Sequence, residues 1–377
     1  MIFTGCFPAR IVLYILLLSI INGCASSKIP YIGEIGNEPQ IRVAILEGKQ
    51  SVAVAGDTII LKVDGKEIYK NNGTFILSSK TGGFGIEEKT YYSDILMIEG
   101  RHLLVDGNFF RGSLSVIREN DGLTVINNLG LESYLFGLIN REISSAWPIE
   151  AVKAQAVAAR SYAYNKMRSN GMNRYHLKSS VLDQVYGGKD AEDERAREAV
   201  NKTRGEIVLY NGEPANTLYH SNCGGHTESA DNVWETDYPY LRGVVDENCT
   251  NAPHYFWSYT TSFNGIRNLL FLNEDITEKR LKITILNRTK SGRVKTIRIG
   301  KKIITGEDLR KIIGYDSIKS TNFQMESDGY LIEFKGRGHG HGVGMCQWGA
   351  KGMAEKGYSY MEILQHYYQG AEIGKVY

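Results

Sequence analysis

Residues 151–163 constrain the fold more than any other stretch of this chain. Ala151, Ala154, Ala156, Ala158, Ala159 and Ala163 all fall within it. Alanine is the strongest helix former and carries almost no bulk, so a helix made of it lets neighbouring backbones close in from several sides. The helix is predicted from Ile149 to about Met167. Pro148 and Glu150 suit its start, and Asn170-Gly171 its stop. A helix of this kind is built for burial. The polar Lys153, Gln155 and Arg160 on it therefore need either a ligand or a salt-bridge partner.

Just ahead of this helix stands one acid in an apolar setting. Glu142 has Leu138, Ile139, Ile143 and Trp147 close by in sequence, with Arg141 beside it. Before residue 130 the pattern is alternation and turns. Ile41–Leu46, Thr58–Val63, Gly73–Leu77 and Leu114–Ile117 read as strands, broken at Asp64-Gly65, Asn72-Gly73, Gly82-Gly83 and Asp121-Gly122. Further on, a second helix is predicted over 191–203. A Ser291-Gly292-Arg293 turn joins strands at Leu281–Leu286 and Val294–Ile299, and two helices over 349–356 and 360–368 close the chain. The expected fold class is α+β: a β-rich part over 41–130, a helical core with Glu142 over 131–258, an inserted β/α subdomain over 259–333, and a Gly/His-rich loop with C-terminal helices over 334–377 that completes the core around a central cleft.

Residues 11–21 are apolar apart from Ser19 and follow Arg10. The run is short for a bilayer span and fits a signal-peptide core. It ends in Ile21-Asn22-Gly23-Cys24, which resembles a bacterial lipobox. Residues 1–23 thus read as a lipoprotein signal peptide, Cys24 as the lipidated residue and 24–40 as a tether. The body is then exported to the cell envelope and held at a membrane by its lipid. A net charge of only +2 offers no basic field for nucleic acid. The 23 tyrosines are many, and a ring with a polar tip suits both β-structure and sugar faces.

More motifs follow in order. They are Phe110-Arg111-Gly112, Leu131–Leu135, Glu142 with Trp147-Pro148, Gln184-Val185-Tyr186, and His220–Glu228 with Trp234, Tyr240-Leu241 and Asp246. Ser291-Gly292-Arg293 and the loop Gly336–Gly349, with His339 and His341, complete the set. Across roughly residues 41–377 these pieces resemble the SpoIID/LytB family. The resemblance implies a lytic transglycosylase acting on peptide-poor cell-wall glycan, with Glu142 as catalytic acid and no cofactor required. Other members are enhancers of a cell-wall amidase, so glycan strands and an amidase are the implied partners.

A lytic transglycosylase needs one acid where an ordinary glycosidase needs two, because the substrate's own 6-hydroxyl replaces water as nucleophile. That acid must be protonated near neutral pH, which apolar neighbours achieve by desolvation. Lys153, Gln155, Arg160, Gln184, Tyr186, His341 and Gln347 are the candidate substrate contacts. Asp183 and Glu228 are the motif acids that a water-using mechanism would recruit.

Cysteine chemistry leaves two readings open. Cys223 and Cys249 suit an exported disulfide, closing a loop of about 26 residues worth roughly 3.5 kcal/mol. With His220 and His254 they also make an inventory capable of holding structural zinc. Some relatives hold zinc near the cleft and place a cysteine before the Gln-Val-Tyr motif, where this chain has Asp183. Cys346 is either a third ligand or a small buried residue.

Overall fold

The computed structural model describes residue 1 and residues 36–377, apart from 120–121, 182, 235, 271–281 and 329. The expected signal peptide beyond residue 1, Cys24 and most of the expected tether lie outside the described residues. No described helix is long and apolar enough to cross a membrane.

The chain is a mixture of α and β structure built on one large sheet. Its strands are β1 (Gln40–Lys49), β2 (Ser51–Val63), β3 (Lys66–Lys80), β4 (Gly83–Ile86), β5 (Lys89–Tyr91), β6 (Ile95–Val105), β7 (Asn108–Phe110), β8 (Ser113–Glu119), β9 (Gly122–Gly130) and β10 (Leu177–Lys178). They lie in the order β10-β1-β9-β8-β6-β2-β3-β4-β5, with β7 on β6. Only the β1–β10 pair is parallel. Alternation sets the inward face: Val52, Val54, Ile59, Leu61 and Val63 of β2 pack with Phe75, Leu77, Leu96 and Ile98. Asp64 and Gly65 close the β2–β3 hairpin with positive φ (49° and 77°), as a two-residue turn of this kind requires. Asn72-Gly73 does not break a strand as expected. It lies inside β3, where Gly73 faces Gly56 and the pairing register shifts through a bulge.

Four helices follow: α1 (Leu131–Phe136), α2 (Ile139–Glu142), α3 (Ile149–Ser169) and α4 (Glu194–Lys202). The alanine-rich helix α3 runs two residues past the predicted end, with Asn170 as its cap. None of these six alanines exceeds 1 % exposure. The reason is geometric: Ala154, Val157 and Ala158 enter one hydrophobic core, while Val152, Ala156, Ala159 and Ala163 enter another. One slim helix thus divides and serves two cores. Helix α4 is shorter than the predicted 191–203 because Asp193 caps it by accepting from the Ala196 N–H.

The remaining elements are β11 (Glu206–Tyr210), β12 (Glu213–Pro214), β13 (Tyr219–His220), α5 (Asp231–Trp234), β14 (Phe256–Ser262), α6 (Phe263–Leu270), β15 (Ile283–Arg288), β16 (Val294–Ile299), β17 (Lys302–Thr305), α7 (Gly306–Ile313), β18 (Phe323–Ser327), β19 (Leu331–Arg337), β20 (Met345–Cys346), α8 (Gln347–Glu355), α9 (Tyr360–Tyr367) and β21 (Glu372–Lys375). Strands β14, β19 and β18 form one sheet and β15, β16 and β17 another. The two share a core of Trp257, Ile297, Leu309, Phe323 and Phe334. Parallel pairing of β13 with β20 brings residues 219–220 beside residues 345–346, and α8 and α9 pack on α3. That pairing delivers the C-terminal loop to the helical core.

Candidate active site around Glu142

Glu142 ends α2, where the chain turns extended at Ile143 (φ −140°). It keeps partial access to solvent, while Leu138, Ile139 and Ile143 beside it are at most 6 % exposed. Burial pushes its carboxyl up to about 6. The Val185 N–H, donating at 3.0 Å, and hydrogen bonds with the Tyr219 and Gln347 side chains oppose that shift without cancelling it. No charged group contributes to the shift. Arg141 is exposed and packs against Gly187, and it does not contribute to the Glu142 shift.

A neutral polar network surrounds the carboxyl. The Gln184 Oε1 accepts from the Tyr134 hydroxyl at 3.0 Å, and its Nε2 donates to Tyr219 at 3.0 Å and to the Ala159 carbonyl at 3.2 Å. Gln184 is 1 % exposed, so it positions Tyr219. Tyr186 is anchored too: its hydroxyl donates to Asn127 at 3.0 Å and its ring lies 5.0 Å from that of Tyr134. Gln347 does reach Glu142, and its Nε2 donates to Gln155 at 3.3 Å. Gln155, fully buried, therefore stands one layer behind.

Two predicted sugar contacts take the salt-bridge alternative instead. Arg160 is fully buried, with Nε and Nη2 donating to Glu132 at 3.0 and 2.8 Å. Three further bonds reach Thr203 and the carbonyls of Glu206 and Val200. Lys153 pairs with Glu150 at 2.6 Å and sits over the Tyr360 ring. The helix interior carries charge only where a partner neutralises it.

His341 accepts from the Val343 N–H at its Nδ1 (3.1 Å) and donates from Nε2 to the Tyr219 carbonyl (3.0 Å). Those two bonds assign a neutral ring, and burial pushes its pKa down to about 4. The ring meets Trp234, itself 45 % exposed, edge-on at 5.0 Å. Trp147 and Trp348, both partly exposed, pack together at 5.0 Å. Trp348 follows Gln347 directly, and its partner lies five positions after Glu142. Indole faces thus stand on both segments that build the acid's surroundings. Tyr219, the Val185 N–H and Trp348 were not predicted from sequence. Tyr219 was legible only as the neighbour of His220, and a backbone donor leaves no sequence signal.

The other motif acids are already engaged. Asp183 accepts from the Tyr162 hydroxyl (2.9 Å), the Lys178 N–H (3.0 Å) and Lys166 (3.2 Å). Burial alone would raise its pKa, but these donors hold it low. Glu228, 3 % exposed, accepts from the Ser229 N–H, Asn232, Thr289 and Ser291 within 3.0 Å.

The cysteines bear on both sequence readings, and the ligand inventory differs from the expected one. Cys223, Cys249 and Cys346 are free and buried, and the first two sulfurs stand 3.4 Å apart without a disulfide. Neither histidine joins them. The His220 Nδ1 meets the Val343 carbonyl at 3.1 Å, and His254 is exposed, facing the His339 ring at 5.8 Å. The third and fourth members of the group are Cys346 and Asp246.

The body is a mixed α/β fold, and in it the Glu142 carboxyl is raised by burial without a charged partner. A family described as Stage II sporulation protein matches residues 119–210, and a domain of unknown function matches residues 247–344. The chain belongs to the stage II sporulation protein D family. It is similar to an uncharacterized protein of Brachyspira hyodysenteriae (36 % identical, covering 80 % of this chain and 82 % of that one). It is also similar to Stage II sporulation protein D of Bacillus subtilis (32 %, covering 66 % and 76 %) and to the Amidase enhancer of the same organism (28 %, covering 80 % and 50 %).

Proposed function

We propose that the chain is a lytic transglycosylase of bacterial cell-wall glycan that cleaves the MurNAc–GlcNAc bond of peptide-poor strands and leaves 1,6-anhydroMurNAc. The observation that carries this reading is the Glu142 carboxyl, raised to about 6 among neutral partners, while Asp183 and Glu228 are tied up in hydrogen bonds. A general acid works best with a pKa near the operating pH, and it contributes about 10²- to 10⁴-fold to rate.

Protonated Glu142 gives its proton to the glycosidic oxygen as the C1–O bond breaks. The carboxylate left behind takes the proton of the sugar's 6-hydroxyl, whose oxygen bonds to C1 and closes the anhydro ring. Glu142 thereby returns to its protonated form, with no water consumed and no second carboxylate needed. Tyr219 and Gln347 orient the carboxyl, while Trp147, Trp348 and Trp234 offer flat faces for sugar rings. We read residues 259–333 as a subdomain inserted into the catalytic body. We also read the chain as an extracytoplasmic lipoprotein anchored through Cys24, with peptidoglycan as substrate and an amidase as the enzyme that bares it.

Kinship to the Amidase enhancer supports a second reading, a glycan binder that activates an amidase without cleaving. Mass spectrometry of peptide-free strands after incubation with the protein and with Glu142→Gln separates the two. Anhydro ends present with the parent and absent with the variant are expected. Products one water heavier would sink the transglycosylase, and intact but bound strands would favour the binder.

A further inference from the structure

We propose that Cys223, Asp246, Cys249 and Cys346 form a closed structural site for one tetrahedral thiophilic cation, with zinc the metal their chemistry selects. This inference is independent of the glycan-cleaving reading. The four ligand atoms lie within 4.8 Å of one another. The Cys223 sulfur is 3.4 Å from that of Cys249 and 3.3 Å from Asp246 Oδ2. Ligands about 2.0–2.3 Å from a tetrahedral zinc stand roughly 3.5–3.8 Å apart, so little movement is needed to close the site. No ligand residue exceeds 1 % exposure. Three soft thiolates favour zinc over the hard cations that oxygen cages select, and four protein ligands leave no open position for catalysis.

The surroundings are organised as a second layer would be. Asp246 is fixed from both sides: Oδ1 accepts from the Asn248 N–H at 2.9 Å and Oδ2 from the Tyr367 hydroxyl at 2.9 Å. The Cys346 sulfur accepts from the N–H groups of Cys223 and Gly349, each at 3.3 Å. Gly349 is required here, since a Cβ on it would lie 2.1 Å from both Asp246 Oδ2 and the Tyr367 hydroxyl.

A separate observation concerns charge. Arg293 is 1 % exposed, and its Nη2 donates to the Cys223 carbonyl at 2.6 Å. Its Nε and Nη1 have no hydrogen-bond partner. Among the described residues no carboxylate forms an ion pair with it. A buried guanidinium left so is costly. Three thiolates and a carboxylate around a divalent cation carry a net charge of −2, a counter-charge for a guanidinium that otherwise has Glu228 near it but no ion pair. The ligands come from the loop after β13, the turn at 246–249 and the start of α8, immediately before Gln347. The metal would therefore brace the residue that meets Glu142.

The test uses the full chain, reduced, stripped with chelator and titrated with zinc, then examined by native mass spectrometry. One zinc per chain is expected, and bound zinc should protect all three buried thiols from a thiol reagent until chelator is added. Cobalt in place of zinc should give the thiolate-to-metal absorption of a tetrahedral site. Cys346→Ser should weaken zinc binding at least ~10-fold, while Glu142→Gln should bind zinc as the parent does. If Cys346→Ser fails to fold, the cobalt spectrum and thiol protection of the parent still decide. No stoichiometric zinc in the reduced parent, or a Cys223–Cys249 disulfide in protein isolated from the envelope, would overturn the proposal.

Discussion

Glu132 and Glu142 sit in successive short helices of one core, and they are prepared for opposite work. Glu132 receives the Arg160 guanidinium, the Gly205 N–H at 3.1 Å and the Tyr377 hydroxyl at 2.5 Å. Burial would push its carboxyl up, but the guanidinium and these bonds hold it below the ordinary range. Glu142 receives one backbone N–H and two neutral side chains, so burial prevails. The cation makes the difference. Desolvation alone does not decide a carboxyl's protonation; what decides it is whether a fixed positive charge has been buried alongside.

The sharpest way to break this contrast is Glu142→Gln, which should lower cleavage about 10³-fold or more with folding intact, read by product formation and circular dichroism. Next comes Arg160→Ala, which strands Glu132 without its cation and should cost about 3–5 kcal/mol in urea unfolding. Equal stability of that variant and the parent would remove the buried pair from the account. A smaller effect follows from linkage. The folded value of Glu142, about 6, lies above its ordinary 4.5, so the folded chain holds that proton more tightly. Its stabilisation is full below about 4.5 and is lost as pH rises through about 6. Cleavage should fall over the same upper limb, and Glu142→Gln should be more stable than the parent at pH 8 by on the order of 1–2 kcal/mol, converging with it near pH 4. The smallest effect is expected from Lys153→Ala. Its partly exposed pair with Glu150 contributes less than ~1 kcal/mol, and cleavage should change little.

Much of this was legible in the sequence, and the exceptions have physical reasons. Alanine content announced α3 and its burial, and the apolar flank of Glu142 announced a raised acid. Strand alternation placed the sheet strands, though Asn72-Gly73 was absorbed as a bulge because β2 carries a matching irregularity opposite it. Lys153 and Arg160 could not be told from ligands, since their partners, Glu150 and Glu132, are ordinary acids in sequence. The cysteine group was half visible. His220-x-x-Cys223 invited a local histidine ligand, but the fold turns that ring to the Val343 carbonyl and draws Asp246 and Cys346 in from afar. Spacing along the chain reports local partners well and crossovers such as β13–β20 not at all.

That crossover has a temporal consequence. The groups that hydrogen-bond Glu142 lie at Val185, Tyr219 and Gln347, so the acid is synthesised some two hundred residues before its last neighbour. A nascent or unfolded chain carries Glu142 as a plain carboxylate with a pKa near 4.5, ionised at neutral pH and unable to donate a proton. Burial in the folded body raises it toward 6, against the pull of its three hydrogen bonds. The raised carboxyl is thus a property of the finished molecule and not of the local sequence alone.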